Sequence, residues 1–136
     1  MKKILCLILA VSGFAACKKS GTPSHTGGLI GKWELHRRYG GFIIPPDTTY
    51  KPGNGNILQF NADSTYKRYT NGTLTQSGIF HTRNYFSDRM TAARFDELYF
   101  DSDTAAKSLV NVSGTLLAVG SLIPDVGTTV YEKLQN

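Results

Sequence analysis

From Ile30 to the C-terminus apolar and polar residues alternate with period two, turn-forming residues recur about every 8 to 14 positions, and no long segment carries helical spacing. Such a chain is confined to short antiparallel strands with one dry face. Trp33, Leu35, Arg37 and Tyr39 alternate with Lys32, Glu34, His36 and Arg38, and Gly40-Gly41 stops that strand. The stretch IIPPDTTYKPGNGN, starting at Ile43, follows as a long loop, because Pro45, Pro46 and Pro52 have no N–H for a central ladder. Ile57 to Phe60 is a strand, Asn61 to Ser64 a turn, and Thr65 to Tyr69 a second strand. Asn71-Gly72 then marks a tight hairpin, since both central positions of a type I′ turn need positive φ. A two-residue turn pairs Tyr69 with Leu74 and Tyr66 with Ser77, which puts Tyr66 and Phe80 on opposite faces. If both belong inside, a bulge must shift the register by one, and Gly78 is the expected place. Beyond Phe80 the pattern predicts strand to Phe86, a turn or helical excursion over Asp88 to Ala93, and strands at Phe95–Phe100, Leu109–Val112, Leu116–Val119 and Thr128–Leu134. Eight or nine evenly spaced strands make the chain all-β, a sandwich or a closed up-and-down barrel.

The first residues do not belong to that pattern. Met1-Lys2-Lys3 is followed by an apolar run from Ile4 to Ala16, closed by Cys17-Lys18-Lys19. This is the plan of an export signal; a spanning helix needs about 20 apolar residues. Its end resembles the lipobox of bacterial lipoproteins, in which small residues precede a cysteine that receives a diacylglyceryl group and becomes the first residue of the mature chain. Ala15-Ala16-Cys17 fits, and Phe14 stands where Leu is usual. An ordinary secretory signal that happens to contain a cysteine is the alternative. Residues 1–16 are thus expected to be removed and Cys17 to carry the lipid, with palmitate among its acyl chains. Two or three chains give a stable anchor where one does not. Residues 17–28 are small and polar and read as a flexible tether, with a random-coil reach on the order of 20 Å. Residues 29–136 are one domain, of a size to bury a single modest core. Cys6 and Cys17 being accounted for, that domain has no thiol, disulfide or thiolate metal site. Without the leader the net charge falls from +5 to about +3, on scattered basic residues, which argues against a nucleic-acid partner.

The strand that opens Gly31-Lys32-Trp33 resembles the first strand of lipocalins, with its Gly-x-Trp. Together with ILQFNADSTYKRYTNGTLTQSGIF and the terminal VYEKL, it makes residues 29–136 similar to the lipocalin-like domains of small lipoproteins from Bacteroidetes-type bacteria. The resemblance implies an antiparallel barrel of about eight strands, with Trp33 as the plug of one end and Lys133, in place of the usual Arg, as the cation across its ring. Trp33 read without the resemblance is the largest core side chain. The family's sorting habit, acidic residues after the lipidated cysteine for the cell surface, is not met by Lys18-Lys19-Ser20-Gly21. The expected place is therefore the outer membrane, facing the periplasm, with the cell surface as the alternative.

No catalytic or metal constellation is apparent. His25 lies in the tether, His36 and His81 are isolated, and no His-x-His, His-Glu-x-x-His or Gly-x-Ser-x-Gly occurs. Asp96-Glu97 sends adjacent carboxylates to opposite faces of a strand, and Asp101-Ser102-Asp103 reads as a solvated turn. No enzyme activity and no cofactor beyond the lipid is expected. Asp47-Thr48-Thr49, Asp63-Ser64-Thr65 and Asp103-Thr104-Ala105 resemble acceptors of a general O-glycosylation system of exported Bacteroidetes proteins, and are also ordinary turn chemistry.

Two functions remain. Phe60, Tyr66, Tyr69, Phe80, Tyr99 and Tyr131 can line a barrel interior for a small apolar or amphipathic molecule, or simply pack it. Alternatively a solid barrel, a monomer, presents its Ile43–Gly55 loop, with Tyr50, to an envelope protein or a glycan. The anchor is directly testable: Cys17→Ser is expected to move the protein from the membrane to the soluble fraction and to abolish labelling by radioactive palmitate, and retention in the membrane fraction would refute the assignment.

Overall fold

The structure is a computed structural model that describes residues 26–41, 47–87, 94–121 and 127–135. The leader, Cys17, most of the tether, the Phe42–Pro46 part of the long loop and the Asp88–Ala93 turn lie outside the described residues. One helical turn, α1 (Thr26–Leu29), precedes nine strands: β1 (Gly31–Tyr39), β2 (Thr48–Thr49), β3 (Ile57–Phe60), β4 (Thr65–Thr70), β5 (Thr73–Ser87), β6 (Arg94–Phe100), β7 (Ser108–Ser113), β8 (Leu116–Gly120) and β9 (Thr128–Lys133). Every pairing is antiparallel, and β1 pairs with both β3 and β9, so that eight strands close into an up-and-down barrel. The ninth, β2, adds to the outer end of β1 through Arg37↔Thr49 and Arg38↔Thr48, on the edge that β3 covers nearer the start. The long loop is therefore partly a strand: it leaves the ladder after Thr49 and re-enters at Ile57.

Alternation fills the interior from every wall. Trp33, Leu58, Phe60, Tyr66, Phe80, Leu98, Val110 and Leu117 form one buried cluster with Leu29, and Phe100, Val112, Val119 and Tyr131 pack against it. Phe60 meets Phe80 edge-on at 4.9 Å between centroids and Tyr66 meets Phe100 at 4.4 Å, geometries that add about 0.5–1.5 kcal/mol each to the area they bury. The Leu29 end is closed by α1, which begins inside the stretch read from sequence as tether. The Trp33 indole N–H donates to the Leu29 carbonyl at 2.7 Å, and a side chain at Gly28 would touch Val112.

The hairpin register differs from the expectation in one place. Tyr69 pairs with Leu74, as the two-residue turn requires, but Tyr66 pairs with Gly78 rather than Ser77, because the register shifts between Arg68↔Gln76 and Tyr69↔Leu74. The extra residue is Thr75, not Gly78, and its hydroxyl donates to the Arg68 carbonyl at 3.2 Å. Bulging there brings Tyr66 and Phe80 to the same inner face. Gly78 has another reason to be glycine: a methyl group on it would overlap the Asp101 carboxylate. That carboxylate accepts from the Ile79 N–H at 2.9 Å and from the Tyr66 hydroxyl at 3.2 Å, and Asp101 itself holds φ 53°. Two further bulges, at His36 in β1 and at Tyr85 in β5, re-aim their strands.

On the outside, Glu34 is 7% exposed beneath the β2–β3 connection, where its two oxygens accept from the N–H groups of Gly53 (2.8 Å) and Gly55 (3.0 Å). The Gly72 N–H reaches back to the Gly55 carbonyl at 2.9 Å. A side chain at Gly55 would collide with the Gly72 backbone nitrogen at 2.6 Å, so the connection is clamped between β1 and the Asn71-Gly72 turn. The Asp101 clasp yields a test: Gly78→Ala displaces a carboxylate with two bonded donors and is expected to lower unfolding free energy by about 1–3 kcal/mol. Adding Asp101→Ala should recover part of that loss. Denaturant midpoints of the two single variants and the double variant measure the coupling.

Candidate functional site

The packed cluster stops short of the end of the barrel opposite Leu29, and a hollow of about 70 Å³ lies there. Leu35, Ile57 and Leu58 give it apolar wall; Asn56 and Thr70, bonded to Asn54 and Thr75, border it, and Arg38, Arg68 and Tyr131 give it further polar groups. Each of these last three arrives by register. Arg68 sits opposite Leu58 and two residues from Tyr66, so pleating sends it inward. Tyr131 lies between Leu35 on β1 and Leu117 on β8, both core residues. Arg38 comes to this face only because His36 is bulged out of the β1–β9 ladder, after which Arg38 pairs with Thr129, two residues from Tyr131.

Among the described residues that line the hollow, the charged ones, Arg38 and Arg68, are both cationic. The Arg68 guanidinium lies 5.4 Å from the centroid of Phe100 and that of Arg38 lies 5.8 Å from the centroid of Tyr50, contacts worth about 0.5–2 kcal/mol each. Among the described residues neither has a carboxylate within ion-pair distance. Burial pushes the Tyr131 phenol above its ordinary pKa, against the pull of Arg68 and Arg38, which lower it. Tyr131 thus stays protonated at neutral pH and can donate.

The six sequence candidates divide. Phe60, Tyr66 and Phe80 are in the packed cluster, where they touch one another rather than a hollow. Tyr131 lines the hollow, and Tyr69 borders it from the opposite face of β4. Tyr99 is on the outer face and stacks on His81 at 4.9 Å between centroids. At the Leu29 end Lys133 pairs with Trp33, its Nζ 5.0 Å from the ring centroid, and a side chain on Gly31 would press on the Lys133 stem. Arg68 and Arg38 are missing from the sequence candidates. Arg68 could have been found from its spacing to Tyr66; Arg38 could not, because its facing depends on the His36 bulge.

Several other polar groups are occupied structurally. On the outside Glu97 is buried at 2% exposure and accepts from Arg83 Nε at 2.9 Å and Nη2 at 2.6 Å, with Lys107 Nζ at 3.6 Å. His36 Nδ1 is 3.8 Å from Glu132, and Asp47 pairs with Arg37. Asp63 accepts from the Thr65 hydroxyl at 2.6 Å and its N–H at 3.0 Å, which holds its carboxyl below the usual range; Asp103 accepts from the N–H groups of Ala105 and Ala106. These are turn closures. The chain matches no protein-family model, no curated protein and no solved structure.

Because the folded-state pKa of Tyr131 is raised, the stability it contributes is complete below the ordinary phenol value of about 10 and is lost as pH climbs through the higher folded value. Alkaline titration followed by phenolate absorbance is expected to show late-ionising phenols, and Tyr131→Phe to remove one of them. A late-ionising population undiminished in the variant would contradict the burial of this group.

Proposed function

We propose that this chain is an envelope lipoprotein: lipid on Cys17 ties a lipocalin-like barrel to the outer membrane on its periplasmic side, and the barrel binds a small apolar or amphipathic molecule at its Arg38 end. The observation that carries the binding reading is that the core packs from the Leu29 end and stops, leaving a hollow with part-apolar wall that Arg38, Arg68 and Tyr131 help to line. Binding sites combine apolar wall with a few polar groups that set orientation. The lipoprotein part is supported by the Ala15-Ala16-Cys17 boundary and the small polar stretch after it. The reading involves no catalytic step and no cofactor.

A second reading is favoured by one measurement. A drug-sized ligand is enclosed by a cavity of at least about 300 Å³, whereas this hollow is about 70 Å³ and the groove beside Glu34 and Glu132 about 110 Å³. A barrel that is largely solid also suits a module presenting a rigid exterior to an envelope protein or glycan, and the Glu34-clamped connection is such an exterior. Both readings are reconciled if only part of the guest enters.

Native mass spectrometry of protein purified from its own membranes decides between them. The binding reading expects one equivalent of a small guest on the folded chain, released on denaturation. A guest-free protein that also binds no added amphiphile leaves the interaction module standing alone.

A further inference from the structure

Arg68 and Arg38 both reach the hollow, carry their charge at every physiological pH, and have no carboxylate within ion-pair distance among the described residues. Of the acids on β1 and β9, Glu34 is held by the Gly53 and Gly55 N–H groups and Glu132 lies 3.8 Å from His36 Nδ1. Two like charges at one end of a barrel repel each other, a cost that the exposure of Arg38 and cation–π contact with Phe100 and Tyr50 reduce. A guanidinium has donors and no acceptor, and a protonated phenol can add one more donor. The three groups together therefore fit a partner that is all acceptor and negatively charged. The hollow, at about 70 Å³, is well below the roughly 300 Å³ that encloses a drug-sized ligand. A guest as small as an oxyanion head suits it, with the rest of the guest outside.

We propose that Arg38, Arg68 and Tyr131 form an oxyanion site, taking the carboxylate or phosphate head of a small amphiphile whose apolar part stays outside the hollow. This rests on the binding reading above and names the chemistry of its guest. Arg68 supplies a charge-assisted hydrogen bond from inside, Arg38 closes from the rim, and the Tyr131 hydroxyl donates between them.

The test is calorimetric titration of the full lipidated chain in nonionic detergent with hexanoate, hexyl phosphate, inorganic phosphate and, as the neutral control, hexanol. The expected result is saturable one-to-one binding of at least one of the anions and none of hexanol. Removing a charged hydrogen bond weakens binding by about 10- to 100-fold, so Arg68→Met is expected to lose at least about tenfold, and Arg38→Met and Tyr131→Phe measurably less. Should Arg68→Met fail to fold, Arg38→Met, at an exposed rim position, and Tyr131→Phe carry the same comparison. Inorganic phosphate binding as tightly as hexyl phosphate supports the site with a free anion as its source; tighter hexyl phosphate or hexanoate supports it with a lipid-type head. Binding of hexanol equal to hexanoate and unchanged in the variants overturns the oxyanion site while leaving the binding reading in place. No binding of any probe overturns both.

Discussion

Everything in this molecule depends on β1 serving two neighbours at once. Its first half hydrogen-bonds to β3 on one side while nearly its whole length hydrogen-bonds to β9 on the other, and that double engagement turns an open meander into a closed barrel. Closure gives each of those eight strands a partner on both sides, which shortens the rows of unpaired N–H and C=O groups that could recruit another chain. The outer half of β1, which β3 is too short to cover, is capped by Thr48 and Thr49 instead. The carboxylate of Glu34 then holds down the connection between them by two backbone N–H groups. A buried acid on the outside of a barrel is accounted for by the donors it satisfies.

Closure also forces curvature, and curvature is delivered by bulges. The one at Thr75 is what allows Tyr66 and Phe80 to share the interior, and hence what allows the Phe60, Phe80, Phe100 and Tyr66 rings to meet. The one at His36 sends Arg37 outward to Asp47 and Arg38 inward to the hollow. Without it the far end of β1 would present the other residue of the pair. Structure and candidate function therefore share a device: the residue that bends the first strand also chooses which arginine faces in.

The two ends of the barrel obey different rules. At the Leu29 end Trp33 and Lys133 are partnered: the Trp33 indole reaches the Leu29 carbonyl and Lys133 lies over the indole ring. At the other end Arg38 and Arg68 line a hollow that has no carboxylate among its described lining residues. Local frustration of that kind lowers stability, and natural proteins concentrate it where something binds. The cost is limited here because Arg38 is exposed and Arg68 rests against Phe100.

By itself the chain's alternation determined the class and most of the strands. Ile57–Phe60 matches to the residue, and β6 to β9 match to within a residue or two, because their faces differ sharply in polarity and their turns carry Asn, Asp or Gly. The Asn71-Gly72 turn was legible because only such residues tolerate its φ values, 50° and 79° here. The short β2 was not, since two threonines among prolines have no period, and they pair only because β1 leaves an edge for them. Nor was the helical turn at Thr26–Leu29, whose composition is that of a linker and whose order comes from Leu29 docking under Trp33. The site shows the same division. Tyr131 could be read from its alternation with flanking polar residues, whereas the inward facing of Arg38 follows from a one-residue register shift. A shift of one residue exchanges the two faces of a strand, and that choice belongs to the partner strand, so only the closed barrel could make it.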